Sequence, residues 1–111
     1  MIAHVILYKP RTDISDDTKL SILQGLASAA AAIPAIRKLS VGKRVKHGRP
    51  GYEQAMREDY EYAVIVEFED LDGLTAYLSH PAHGSIGKHF TESASNSLAY
   101  DYEMLELETG S

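Results

Sequence analysis

Two segments of this chain carry apolar residues on both of the faces a strand would present, and that restricts the folds open to it more than any other feature. In Ile2–Tyr8, alternation puts Ile2, His4, Ile6 and Tyr8 on one side and Ala3, Val5 and Leu7 on the other. Residues 60–69 repeat the pattern, with Tyr60, Tyr62, Val64, Val66 and Phe68 facing one way and Glu61, Ala63, Ile65 and Glu67 the other. A strand covered on one side only would alternate apolar with polar residues. These two segments therefore need something packed against each face.

The rest of the chain supplies one cover. Ser15 is placed to cap a helix whose first turn holds Asp16 and Asp17. Leu20, Leu23, Leu26, Ala27, Ala30 and Ile33 recur at helical spacing until Pro34 ends it, which predicts a helix over 16–33. Ala35–Val45 reads as a half-exposed strand with a bulge at Gly42. Residues 46–59 are polar, contain Gly48, Pro50 and Gly51, and show no period, so a mobile surface loop is expected. Asp70 precedes a helix over 71–78, a second helical stretch opens at Pro81 and runs to about Ser95, and 97–107 closes the chain as a strand. The order is strand, helix, strand, strand, helix, strand: a ferredoxin-like βαββαβ α+β domain, an antiparallel sheet with its helices on one face. One domain over 1–111 is expected. The uncovered face, with Val5, Leu7 and Ile65, calls for a second copy, so a homodimer through the sheet faces is inferred.

Composition narrows the function. A formal charge of −5 opposes association with nucleic acid or an anionic membrane, and neither is expected as a partner. Without cysteine there is no disulfide and no thiolate metal site, which suits a cytoplasmic protein. The first residues lack a basic leader and a long apolar run, so no signal peptide is expected. His80, His83, His89 and Glu92 are close in sequence but match no zinc spacing, and no metal is expected. Gly48-Arg49-Pro50-Gly51 lacks the ending of a phosphate loop.

Several separated segments, in order, resemble the Dabb family of stress-responsive dimeric α+β-barrel proteins: His4–Tyr8, Tyr62–Glu69, Tyr77-Leu78-Ser79-His80-Pro81-Ala82-His83, and Asp101-Tyr102. The resemblance implies a ferredoxin-like subunit whose sheet meets a partner's in a central barrel. It does not by itself imply an activity. The reading it favours is a stress-responsive homodimer binding a small apolar ligand. The alternative is a cofactor-free acid–base enzyme of the polyketide cyclase type, acting on a carbonyl compound.

Aldol ring closure needs a base for the proton next to a carbonyl and a donor for the enolate oxygen, and no cofactor. The resemblance assigns the base to His83 and the donor to Tyr77. The competing structural reading has His83 bracing the turn and Tyr77 in the core with its hydroxyl bonded. His80, fixed as extended by Pro81, is expected to be structural. Expected ligand-binding positions are His4, Ile6, Tyr62 and Val64 on the sheet and Ile22 and Leu26 on the first helix. Tyr62 stands where the cyclases have another histidine. Ile22, Leu23, Leu26 and Ala94 replace their aromatic walls, which points to a different ligand.

Overall fold

A computed structural model describes residues 1–108 of the chain. The elements are β1 (Ile2–Pro10), α1 (Asp16–Ala31), β2 (Lys38–Lys43), a 3-10 turn at Glu53–Ala55, β3 (Tyr62–Phe68), α2 (Leu71–Ser79), α3 (Pro81–Ser93) and β4 (Ala94–Glu103). The strands form one antiparallel sheet in the order β2-β3-β1-β4. This is the ferredoxin-like α+β arrangement. No helix among the described residues is long and apolar enough to cross a membrane.

Local chemistry sets the helix limits. The Ser15 hydroxyl accepts from the Thr18 N–H at 3.2 Å, and Asp70 Oδ1 accepts from the Gly73 N–H at 3.0 Å, so α1 and α2 each begin on a satisfied cap. His80 ends α2 and begins α3. Its extended backbone (ψ 138°) is what a residue before proline adopts, and its ring Nδ1 accepts from the Ala82 N–H at 3.1 Å. Pro81 then takes the first helical position, where a missing N–H costs nothing.

All four strands differ in their limits from the sequence reading, β1 by running two residues further, to Pro10. β2 and β3 are shorter than 35–45 and 60–69, although Arg37 N–H to the Glu67 carbonyl and Arg44 N–H to the Glu61 carbonyl each carry the bonding one residue further. β4 begins three residues early because α3 runs straight into it, with the Arg11 N–H donating to the Ser93 carbonyl at 2.8 Å. It stops at Glu103, since beyond Met104 N–H to the Met1 carbonyl there is no neighbouring strand left. The bulge predicted at Gly42 is absent from the continuous β2–β3 register. The irregularity falls instead at Lys9/Pro10, where proline cannot donate to the ladder. In the 46–59 segment, Asp59 clasps the ends by accepting from Arg44 at 2.8 Å and Lys46 at 2.5 Å.

The Cα atoms extend 44 × 39 × 18 Å, and the short dimension is one layer of helices on one sheet. Between the layers lie Ile6, Tyr8, Val64, Val66 and Phe68 from the sheet, Leu26 and Ile33 from α1 and the turn after it, and Leu74, Tyr77, Ile86 and Phe90 from α2 and α3. On the outer face, register brings Val5 beside Ile65 and Tyr100, and Leu7 beside Ala63 and Leu98. That face lies open: Ile65 is 37% exposed, Tyr100 56% and Tyr102 51%.

Candidate functional site

At the start of β1 and the end of β4, His4 and Asp101 are register partners, so their side chains project from neighbouring strands onto the helix side together. Nδ1 of His4 lies 2.5 Å from Oδ1 of Asp101. An ionised carboxylate only accepts, which puts a proton on Nδ1 and leaves Nε2 as the ring's free position. His4 is buried, while Asp101 keeps 41% of its side chain exposed. The pair thus links the interior to solvent.

Tyr77, in the last turn of α2, comes down on this corner of the sheet. Its ring centre is 5.2 Å from Phe68 and 5.5 Å from His4. His83, in the first turn of α3, closes from the other side at 4.7 Å. Tyr77 is 1% exposed, yet its hydroxyl is buried without a hydrogen-bond partner among the described residues. A tyrosine serving packing alone would have that hydroxyl satisfied, because an orphaned buried donor costs about 1–3 kcal/mol.

The electrostatics fit a division of labour. Burial, and then the electrostatic influence of the neighbouring His4 ring, lowers the pKa of His83 from the ordinary histidine value, with a hydrogen bond to the Leu78 backbone opposing. Burial first, then the Asp101 carboxylate, raises that of Tyr77. At neutral pH the corner therefore holds an imidazole that can accept a proton and a phenol that keeps one.

The other expected positions lie elsewhere. Tyr62 pairs with Tyr8, at 6.4 Å between rings, four residues along the sheet from the His4 row and so about 13 Å away. Ile6 and Val64 are core between the two rows. Ile22 and Leu26 face a cleft of about 130 Å³ between α1 and α3, closed by Ile86 and Phe90. His80 caps two helices. The structure thus gathers His83, Tyr77 and His4, and it adds Asp101. Sequence reasoning quoted Asp101 in a motif but gave it no role at the site. The available signal was a histidine and an aspartate on the helix-facing sides of the first and last strands, and linking them requires the register.

A ferredoxin-like subunit with one bare sheet face and a histidine–tyrosine cluster under its helices defines the class. Residues 2–104 match the Stress responsive A/B Barrel Domain, Dabb, and the chain belongs to that family. Olivetolic acid cyclase of Cannabis sativa is 26% identical over 101 residues, covering 91% of this chain and 94% of that protein. Among solved structures, the Arabidopsis thaliana protein At3g17210 superposes with a TM-score of 0.82 at 21% identity, covering 97% of this chain and 99% of that one. A dimeric ferredoxin-like protein of unknown function from Thermobifida fusca gives 0.73 at 21% identity, covering 93% and 90%.

Proposed function

We propose that this protein works as a homodimer and that the Tyr77–His83 corner carries out cofactor-free acid–base chemistry on a small apolar carbonyl compound. The observation that carries the reading is the Tyr77 hydroxyl, buried and unpartnered beside His83. A substrate carbonyl is the acceptor it lacks. His83 removes a proton from the carbon next to that carbonyl and becomes imidazolium, and the electron pair moves onto the carbonyl oxygen. Tyr77 donates to the resulting enolate. When the enolate carbon adds to a second carbonyl, the new alkoxide takes the proton back from His83. Asp101 holds His4 against the Tyr77 ring, which positions the phenol.

The bare sheet face supports the dimer. Covering Val5, Leu7, Ile65, Leu98 and Tyr100 removes a contiguous apolar patch of a kind monomers rarely display. The Thermobifida fusca relative is described as dimeric, in agreement with this. The near-complete burial of Tyr77 favours a second reading, a stress-associated dimer that binds its ligand without turnover.

Deuterium exchange separates the two. A panel of small apolar ketones is incubated with the protein in D2O, and loss of the proton signal next to the carbonyl is followed by NMR. Catalysed exchange that disappears in His83→Ala and falls at least tenfold in Tyr77→Phe is the expected result. Binding with no exchange above buffer for any ketone leaves the ligand-binding reading.

A further inference from the structure

A cavity of about 570 Å³ opens on the outer face of the sheet, away from the Tyr77 corner. Leu7, Ala63, Met56 and Tyr60 line it with apolar surface, Lys43, Arg44 and Arg57 contribute cationic groups, and the one carboxylate there, Glu58, is paired with Lys9. Arg44 is held by Asp59, whereas Lys43 and Arg57 have no ion-pair partner among the described residues.

The chain carries the complement of this cavity. After β4 it runs Met104-Leu105-Glu106-Leu107-Glu108, and Met104, Leu105 and Leu107 are 52%, 75% and 77% exposed. Glu103, Glu106 and Glu108 are likewise without ion-pair partners among the described residues. An arm that alternates leucine with glutamate, left bare, matches an apolar cavity carrying unpaired cations.

It cannot fill its own cavity. β4 runs antiparallel to β1 and leaves the sheet beside Ile2, whereas the cavity lies at the Leu7 row, five residues away along the strand. That is about 17 Å along the sheet and roughly 10 Å across it, so about 20 Å in all, against a reach of at most about 18 Å for five extended residues. The strand direction also carries the arm away from the cavity.

We propose that residues 104–108 of one copy lie in the cavity at Leu7, Met56 and Arg57 of a second copy, so that the segment after each subunit's β4 locks the other. This rests on the homodimer of the preceding section and specifies what holds it together. The leucines meet the apolar lining, and the glutamates meet Lys43 and Arg57.

The full chain is tested as it stands. Sedimentation over a dilution series should show a dimer that Leu105→Ser/Leu107→Ser dissociates at a concentration at least tenfold higher. Glu106→Lys/Glu108→Lys should weaken it as well, and adding Lys43→Glu/Arg57→Glu should restore it. Because the chain has no cysteine, chains bearing only Met56→Cys can be mixed with chains bearing only Leu107→Cys and oxidised. A disulfide-linked pair that forms in the mixture and in neither chain alone places the arm. A wild-type monomer at micromolar concentration overturns both the dimer and this inference. An intact dimer with no cross-link and no effect of the arm substitutions overturns this inference alone.

Discussion

Two tyrosines of this fold are almost completely enclosed and differ in one respect, which makes a matched pair of substitutions informative. Tyr8 and Tyr77 are 0% and 1% exposed. The Ser93 hydroxyl gives its proton to the His89 carbonyl at 2.6 Å, so the 2.5 Å contact between Tyr8 and Ser93 is Tyr8 donating. The Tyr77 hydroxyl has no hydrogen-bond partner among the described residues. Tyr8→Phe removes a satisfied bond and should cost about 1 kcal/mol, whereas Tyr77→Phe removes a desolvated, unpaired group and should gain about 1 kcal/mol. For a domain of this size each step moves the melting temperature by about 4 °C, in opposite directions. Urea titration at equal protomer concentration measures both, which keeps dimer mass action constant. The comparison gains a second axis at alkaline pH. The Tyr77 pKa is raised above 10.0, so the stability tied to its neutral form is complete below pH 10 and is lost as pH rises through the folded-state value. The advantage of Tyr77→Phe should therefore widen above pH 10. If Tyr77→Phe destabilises as much as Tyr8→Phe, the hydroxyl has a partner in solution and the argument for a waiting donor fails.

Asp101→Asn removes the charge that holds His4 while keeping the shape, and ketone exchange should drop severalfold with little change in melting temperature; unchanged exchange would remove Asp101 from the site. The lowered pKa of His83 means that its neutral form is favoured by the fold. Its contribution to stability is complete above pH 6.5 and is lost as pH falls through the lower folded value, so a stability difference from His83→Gln that grows on acidification would contradict the assignment. Exchange should fade over the same acidic range. Ile65→Lys puts a charge at the centre of the outer face and should give monomers in sedimentation, and a dimer of undiminished affinity would move the interface elsewhere. Asp70→Ala should cost about 1 kcal/mol through the lost cap on Gly73, measured by urea titration.

The architecture was legible because its signals are short in range. Two-residue alternation in 2–8 and 60–69, the caps Ser15 and Asp70, and Pro34 and Pro81 as punctuation locate nearly every element without knowledge of its neighbours. Strand ends and the bulge were not legible, because they depend on partners: β4 stops where β1 begins, and β1 is irregular at the residue that cannot donate. The site divides in the same way. Tyr77 and His83 lie three residues either side of His80, which precedes a proline, and could be paired from local geometry. Asp101 joins His4 across 97 residues only through strand register, and Tyr62, two positions before a buried core valine, lands with Tyr8 at the far end of the sheet.

His80 belongs to two helices at once, closing α2 and capping α3. Tyr77 lies three residues before it and His83 three after, so neither helix alone determines how far the imidazole stands from the phenol. The joint does. The distance between the two groups follows the bend at one backbone position, held by a proline on one side and a ring-to-backbone bond on the other. Substitutions at 80 to 82 can therefore change the spacing of the pair while leaving Tyr77 and His83 themselves, and the packing of each helix, as they are.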